Sequence, residues 1–217
     1  DPLWELLAKP VSRVTTANAV TLAGFLLVAI SCAAFLYHQS PLWFGVSLAL
    51  AFSADSMDGA VARLRGESSH FGGYLDAMVD RYQELLVFIT IAHFADAWAA
   101  AFLAFSGAFA TSYAKARTAI EVPVSNDDWP DFFERQERII FLCLLLVGAP
   151  IFSSARFPVS DILNGGLWLL AVISHGTALQ RFGRARRILR AADGINKGAS
   201  ADGLQQQQAE PQQGHLT

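Results

Sequence analysis

The chain has few charged residues. Only 16 % of its 217 residues are Asp, Glu, Lys or Arg, whereas about 25 % is usual for a soluble globular domain. The hydrophobic share is 53 %, and the mean hydropathy is +0.34. This balance excludes a disordered chain, an ordinary soluble globule and a nucleic-acid-binding protein. It predicts a polytopic membrane protein whose partners include membrane lipids.

Cysteine is also scarce. The two cysteines, Cys32 and Cys143, lie in apolar runs. Their number and setting exclude a disulfide scaffold and a cysteine-based zinc site. The sequence also lacks a Ser-His-Asp or Cys-His arrangement that would suggest a covalent intermediate.

Long apolar runs dominate the sequence. A membrane-spanning helix needs about 20 mostly apolar residues, and somewhat fewer in a crowded bundle. Six runs qualify: 19–37, 42–54, 71–93, 97–114, 139–154 and 162–179. The predicted fold class is therefore all-α, a polytopic membrane protein with six transmembrane helices.

The two ends of the chain differ from these runs. Residues 1–14 mix Trp4 and Leu6 with Glu5 and Lys9, which predicts an amphipathic helix on the membrane surface. Residues 193–217 are polar and rich in Gln, which predicts a disordered tail. The predicted domains are a membrane domain over residues 1–192 and this C-terminal tail.

Basic residues predict the topology. If the N-terminus is cytosolic, all but one of the 16 Lys and Arg residues fall on the cytosolic side, the exception being Arg156. This positive-inside bias supports an even number of spans. It predicts a multi-pass protein of the cell membrane with both termini and the active site facing the cytoplasm.

Four aspartates lie at the cytosolic ends of two consecutive apolar segments. Asp55 and Asp58 are three residues apart, and Asp76 and Asp80 are four apart, spacings that place each pair on one helix face. Since each intramembrane carboxylate costs at least a few kcal/mol, the cluster needs counter-charge to remain ionised. One or two divalent cations would supply it, and oxygen ligands suit Mg²⁺ or Mn²⁺.

Small residues and an arginine accompany these aspartates. Gly59 and Ala62 follow the first pair, and Gly72 precedes the second. Small side chains let a ligand approach the carboxylates, and Arg63 can reach a phosphate. Together they indicate a diphosphate bridged by metal ions. The alternatives are carboxylates that cap helices or face solvent, and a proton or ion pathway.

Residues 55–80 fit the pattern Asp-x2-Asp-Gly-x2-Ala-Arg-x8-Gly-x3-Asp-x3-Asp at every fixed position. In this the chain resembles the CDP-alcohol phosphotransferases. A six-helix bundle preceded by a surface helix is also that family's architecture. Residues 16–21, Thr-Ala-Asn-Ala-Val-Thr, are similar to the family's Thr-Pro-Asn-x-x-Thr, with Ala17 in place of proline. The resemblance also implies a homodimer.

The resemblance implies an activity and its residues. A phosphatidyl-type group would pass from a CDP-linked lipid, CDP-diacylglycerol or CDP-archaeol, to an acceptor hydroxyl with release of CMP. Two Mg²⁺ or Mn²⁺ ions would be shared by the four aspartates, with Asp80 as general base on the acceptor. The residues that the resemblance assigns to CDP-lipid binding are Asn18, Asp58, Gly59, Ala62, Arg63 and Gly72.

Basic residues at the ends of the last three spans indicate the chemical class of the acceptor. They lie at the depth of the carboxylates and suit an acceptor that itself carries phosphate, although membrane anchoring explains any single one equally well. These acceptor-phosphate candidates are Lys115, Arg117, Arg135, Arg138 and Arg181.

Three short motifs indicate which phosphorylated acceptor the protein uses. Ser-Tyr-x-Lys-Ala-Arg at 112–117, Glu-Arg-x-x-Arg at 134–138 and Asp-Arg at 80–81 resemble the phosphatidylinositol-phosphate and archaetidylinositol-phosphate synthase branch. The implied acceptor is inositol phosphate. Glycerol 3-phosphate, the acceptor of phosphatidylglycerophosphate synthases, would use a similar pocket and is the alternative.

Two other classes of membrane protein use aspartates. A prenyltransferase also binds Mg²⁺ and a diphosphate, but it would normally have a longer chain with a second Asp-rich motif. A cation transporter would carry polar residues across the membrane, yet the outer halves of these runs are apolar. CMP release from a CDP-lipid distinguishes the transferase from both.

Overall fold

The computed structural model describes residues 9–55, 57–123 and 133–209, with the backbone alone for Asp55 and for residues 195–209. Within these ranges the protein is entirely helical and contains no strand, so the predicted all-α class is confirmed. A helical turn at residues 9–12 precedes the main helices. These are α1 (Ala17–His38), α2 (Pro41–Asp55), α3 (Asp58–Arg65), α4 (His70–Ala95), α5 (Trp98–Glu121), α6 (Arg135–Phe152) and α7 (Val159–Ala209).

Short connections make neighbouring helices antiparallel. Gln39 ends α1 and Asp96 ends α4 in the left-handed conformation, with φ of 54° and 50°, and each cap N–H closes the last turn of its helix. The next helix then begins within two residues and returns along its neighbour. In the bundle α1 packs on α2 and α4, α2 packs on α6, and α5 packs on α7.

The apolar core fills the part of the bundle away from the aspartates. Phe35 and Phe44 stack there with ring centroids 4.4 Å apart. Glycine lets two helix pairs approach closely, because a Cβ at Gly45 would lie 3.0 Å from a backbone oxygen of α6 and one at Gly107 would lie 3.0 Å from a backbone nitrogen of α7. Such small-residue contacts are typical of membrane helix packing.

The outer surface of the bundle is also apolar. Ile30, Phe102 and Val172 are 63 %, 70 % and 68 % exposed, which suits contact with lipid and not with water. Among the described helices, α1 and residues 159–194 of α7 are long and apolar enough to cross a membrane. The count of six spans stays a prediction.

The chain near the first aspartate pair differs from the predicted single helix. Helix α2 ends at Asp55, and a separate helix, α3, begins at Asp58. Asp58 thus lies in the first turn of α3, where the helix dipole favours a carboxylate. Asp55 and Asp58 thus belong to two separate helices. That their side chains share one face stays a prediction, because the side chain of Asp55 lies outside the described part.

Helix α7 is longer than predicted, with 51 residues. Its backbone continues through residues 193–209, which belong to the predicted disordered tail. Ala, Leu and Gln are good helix formers, so a helix already anchored in the bundle can continue where the apolar content is low. Residues 1–8 of the predicted surface helix and residues 210–217 of the tail lie outside the described ranges.

Candidate active site

A cavity of about 240 Å³ opens between α1, α3 and the start of α4. We call it the motif cavity, because motif residues of 55–80 line it together with the start of α1. Asp76 lies on its wall. It also brings together all the residues predicted to bind a CDP-lipid: Asn18, Asp58, Gly59, Ala62, Arg63 and Gly72.

Two hydrogen bonds orient Asp58 in this cavity. The Thr21 hydroxyl donates to Asp58 Oδ2 at 2.7 Å, and the Gly59 N–H donates to Asp58 Oδ1 at 2.6 Å. The bond from Thr21 ties α3 to α1 and fixes the direction of the carboxylate. Thr21 was not among the predicted site residues, although it is the last residue of the motif at 16–21.

Gly72 allows α1 and α4 to meet at the wall of the motif cavity. A Cβ at this position would lie 3.2 Å from Asn18 Oδ1 and 3.1 Å from Ser69 Oγ. Ser69 is the N-cap of α4 and accepts a hydrogen bond from the Gly72 N–H. A larger residue at this position would have to displace the Asn18 amide or the Ser69 hydroxyl that caps α4.

The loop between α3 and α4 adds an acidic residue that the sequence analysis missed. Glu67 lines the motif cavity and pairs with Arg65 at 2.7 Å. The hydrogen bond from Arg65 lowers the pKa of Glu67, so this carboxylate is ionised at neutral pH. Arg65 also donates to the Ser12 carbonyl at 2.7 Å, which ties the N-terminal segment to the loop.

The predicted metal ligands are partly brought together. Asp58 and Asp76 share the motif cavity, Asp80 follows on α4, and the side chain of Asp55 lies outside the described part. Within the described side chains, no three His, Cys, Asp or Glu residues form a metal site. The two cavity aspartates are oxygen ligands of the kind that Mg²⁺ and Mn²⁺ bind, so their chemistry fits such an ion.

Asp80 lies one turn beyond Asp76 and is held by arginines. Its Oδ1 is 2.6 Å from Arg135 Nη2, its Oδ2 is 3.9 Å from Arg81 Nη2, and its side chain is 14 % exposed. The Arg135 guanidinium also donates to Gln83 Oε1 at 2.6 Å and lies over the Phe52 ring. These contacts keep the Asp80 carboxylate next to a fixed positive charge.

A second cavity, of about 350 Å³, lies between the C-terminal half of α5, the start of α6 and the middle of α7. We call it the basic cavity. It brings together four of the five predicted acceptor-phosphate residues, and Glu134 also lines it. The four residues are Lys115, Arg135, Arg138 and Arg181.

Arg117 does not join the basic cavity. It pairs with Glu121 and lines a separate groove between α5 and α7. Residues two positions apart point to different sides of a helix, so Arg117 cannot share the direction of Lys115. The structure therefore separates Arg117 from the other four acceptor-phosphate candidates, and its predicted role stays untested.

A buried ion network lies beneath Asp80. Glu84 Oε1 is 2.9 Å from Arg138 Nη2, and Glu84 Oε2 is 2.8 Å from Arg81 Nη1. Arg81 also donates to Ser112 Oγ at 2.6 Å, so the network joins α4, α5 and α6. Glu84 was not among the predicted site residues, although it follows Asp80 by four residues on the same face. Arg138 lines the basic cavity, but Glu84 binds its guanidinium.

Arg181 closes the basic cavity from α7. Its Nη1 donates to the Thr111 carbonyl at 2.6 Å, and its Nη2 is 3.4 Å from Glu134 Oε1. Only 5 % of the residue is exposed. The guanidinium is thus fixed by α5 and the start of α6 at the cavity wall.

Comparison with known proteins agrees with this geometry. Residues 14–174 match the CDP-alcohol phosphatidyltransferase family. The chain belongs to that family. It is therefore a membrane-protein transferase of phospholipid synthesis, and the resemblance seen in residues 55–80 is confirmed.

Two curated relatives are synthases of inositol-containing lipids. The archaetidylinositol phosphate synthase of Pyrococcus horikoshii is 31 % identical over 175 residues, covering 80 % of this chain and 85 % of the relative. The phosphatidylinositol phosphate synthase of Mycolicibacterium smegmatis is 33 % identical over 193 residues, covering 81 % and 82 %. This chain is thus most like the phosphatidylinositol phosphate synthases.

Solved structures of Mycobacterium tuberculosis phosphatidylinositol phosphate synthase share the fold. The form with CDP-DAG bound superposes with a TM-score of 0.71 at 26 % identity, over 85 % of this chain and 94 % of that one. The form in complex with manganese and citrate gives a TM-score of 0.70 at 27 % identity, over 84 % and 88 %.

Proposed function

We propose that this transferase moves a phosphatidyl-type group from a CDP-linked lipid to a hydroxyl of inositol phosphate, releases CMP and depends on a divalent metal. The observation that carries the proposal is the position of α4 between two cavities. Asp76 lines the motif cavity, and one turn later Asp80 contacts Arg135 of the basic cavity. A donor and an acceptor bound in these cavities would meet at Asp80.

The motif cavity is the proposed donor site. Gly59 leaves space beside Asp58, since a Cβ there would meet only Arg63 Nη1, at 3.6 Å. Arg63 supplies a guanidinium for a phosphate. The M. tuberculosis relative with CDP-DAG bound supports a CDP-linked lipid as the ligand.

Asp55, Asp58, Asp76 and Asp80 are the proposed ligands of two Mg²⁺ or Mn²⁺ ions. The hydrogen bonds from Thr21 and Gly59 to Asp58 resemble the outer contacts that orient metal ligands, and the manganese-bound relative supports a divalent ion. When bound, such ions neutralise charge on the diphosphate and the leaving CMP.

Asp80 is the proposed general base. The acceptor oxygen attacks the lipid-side phosphorus, the phosphoanhydride bond to CMP breaks, and the proton of the hydroxyl passes to Asp80. The contact with Arg135 favours the ionised carboxylate, which can accept that proton. Lys115, Arg135 and Arg181 would hold the acceptor phosphate.

The inositol phosphate acceptor rests on the basic cavity and on the relatives. Three cations that converge on one cavity suit a substrate that carries phosphate. The P. horikoshii and M. smegmatis relatives are both named as inositol phosphate lipid synthases, which favours inositol phosphate over glycerol 3-phosphate.

The membrane arrangement completes the proposal. Residues 1–192 form the membrane domain, and the six spans are α1, α2, α4, α5, α6 and α7. Arg156 lies between α6 and α7, at the end of the bundle opposite the basic cavity. The positive-inside rule then places the active site and both termini in the cytoplasm. By the family resemblance the enzyme is a homodimer.

The deciding experiment follows CMP release by purified protein given CDP-diacylglycerol or CDP-archaeol. The acceptors offered in turn are inositol 1-phosphate, glycerol 3-phosphate, free inositol and serine. We expect the two phosphorylated acceptors to exceed free inositol and serine, because only a phosphate engages the basic cavity. We expect inositol 1-phosphate to give the highest kcat/KM of the four, because the two relatives are named as inositol phosphate lipid synthases. If the enzyme prefers glycerol 3-phosphate, then glycerol 3-phosphate and not inositol phosphate is the acceptor. A preference for free inositol or serine would contradict phosphate binding by the basic cavity.

Removing divalent ions should stop the reaction. With excess chelator we expect CMP release to fall to background, because the carboxylates of the motif cavity would repel a diphosphate without the cations. Adding Mg²⁺ or Mn²⁺ should restore the rate. Turnover that persists in chelator would refute the metal requirement.

Arg135→Ala and Arg181→Ala should weaken acceptor binding. A charge-assisted hydrogen bond contributes about 1.5–3 kcal/mol, so the KM for inositol 1-phosphate should rise roughly ten- to hundredfold while the KM for CDP-lipid changes little. Initial rates with each substrate varied in turn measure both constants. Arg156→Ala, at the opposite end of the bundle, is the matched control. An equal rise in both KM values would place these arginines outside the acceptor site.

A further inference from the structure

Among the described residues that line the basic cavity, one carboxylate has no role in the assignments above. Glu134 lines the cavity together with Lys115, Arg135 and Arg181. Its side chain is 48 % exposed, and its Oε1 lies 3.4 Å from Arg181 Nη2. A negative charge in a cavity that binds phosphate opposes phosphate binding. The carboxylate must therefore stabilise the bound acceptor through some group other than its phosphate.

The backbone fixes the position of this carboxylate. Glu134 is the N-cap of α6, and its side chain accepts a hydrogen bond from the Glu137 N–H. In return the Glu134 N–H donates to Glu137 Oε2 at 2.9 Å. This capping box and the Arg181 contact hold the side chain at the cavity wall, and its half-exposed surface can still accept further hydrogen bonds.

A phosphorylated polyol has two kinds of group that this cavity can distinguish. Its phosphate suits the three cations, and its hydroxyls are donors that need an acceptor. An ionised carboxylate only accepts hydrogen bonds, and a site built to bond a hydroxyl strongly rejects molecules that lack it. Glu134 is the cavity residue with that chemistry beside the arginines.

We propose that Glu134 is a specificity-determining residue that accepts hydrogen bonds from the hydroxyls of the acceptor while Lys115, Arg135 and Arg181 bind its phosphate. This inference rests on the proposed function and adds the recognition of the polyol to it. The carboxylate favours a polyol phosphate and disfavours inorganic phosphate, which has no carbon-bound hydroxyls to offer it.

The test compares Glu134→Gln with wild-type enzyme. The amide can keep the cap of α6 through its oxygen, but the negative charge is lost. We expect the KM for inositol 1-phosphate to rise about tenfold. We expect the inhibition constant of inorganic phosphate to fall about twofold to fivefold, because the repelling charge is gone. The matched control is Glu137→Gln, which alters the same capping box from outside the cavity lining.

A higher KM for inositol 1-phosphate together with a lower inhibition constant for inorganic phosphate would show that Glu134 recognises the hydroxyls of the acceptor. If Glu134 only caps α6 or orients Arg181, the variant binds both inositol 1-phosphate and inorganic phosphate more weakly. If Glu134 only repels anions, the variant binds both more tightly. Either result overturns the proposal. The same changes in Glu137→Gln would also overturn it. If wild-type enzyme does not use inositol 1-phosphate at all, the proposed acceptor fails first and the role of Glu134 fails with it.

Discussion

Asp80→Asn should abolish transfer in a protein that remains folded and still binds CDP-lipid. Asn has the size of Asp but cannot take the proton of the acceptor hydroxyl. Loss of a general base costs about 10²–10⁴-fold in rate, and loss of a charged metal ligand adds to that. CMP release with both substrates saturating measures the effect, and thermal stabilisation by CDP-diacylglycerol reports donor binding.

Asp96→Asn is the matched control for this substitution. Asp96 lies at the other end of α4, where it adopts a φ of 50° that Asn tolerates well. The rate of CMP release by the Asp96→Asn variant should equal that of wild type. Asp80→Asn protein that still turns over at a comparable rate would remove Asp80 as the base, and loss of CDP-lipid binding would assign it to the donor site instead.

Glu84→Gln should lower the free energy of unfolding more than the loss of any exposed ion pair would. Glu84 is 2 % exposed and pairs with Arg81 and with Arg138, which is 1 % exposed. Without its charge, the buried guanidinium of Arg138 and the partly buried guanidinium of Arg81 lie together with no carboxylate between them. Breaking a buried pair costs about 3–5 kcal/mol. Unfolding of detergent-solubilised protein by heat or denaturant measures the change.

A second substitution separates charge from packing. Glu84→Gln combined with Arg138→Met removes one of the uncompensated charges, so the double variant should be more stable than Glu84→Gln alone. Glu121→Gln serves as control, because the Glu121–Arg117 pair is half exposed and such pairs contribute about 1 kcal/mol or less. Equal losses for Glu84→Gln and Glu121→Gln would contradict a structural role for the network.

The sequence indicated most of the motif cavity, because most of its lining residues are close along the chain. Asp58, Gly59, Ala62 and Arg63 share one short helix, and Gly72 and Asp76 begin the next. Fixed spacing then determines which side chains share a face. The interruption between Asp55 and Asp58 could not be predicted in this way, because both helical and broken backbones suit the same spacing.

The basic cavity was harder to predict because it combines three distant segments. Lys115, Arg135 and Arg181 meet only when α5, α6 and α7 pack, and a basic residue at a helix end has the same sequence signal whether it lines a cavity or anchors the helix. Arg117 has the same sequence signal as Lys115, but it lines a different cavity because it points to another side of α5. Glu84 was missed because it lies outside the motif, although its spacing from Asp80 was visible.

The one-sided placement of polar groups has a consequence for the bilayer. The buried charged residues Glu84, Arg138 and Arg181 lie at the end of the bundle that carries both cavities, and the opposite end is filled by side chains such as Phe35 and Phe44. Through the described part of the bundle, a hydrophilic headgroup therefore has no continuous row of buried charged residues to follow. Phospholipid made by this enzyme would enter the leaflet from which its donor came, and moving it to the other leaflet would require a separate flippase.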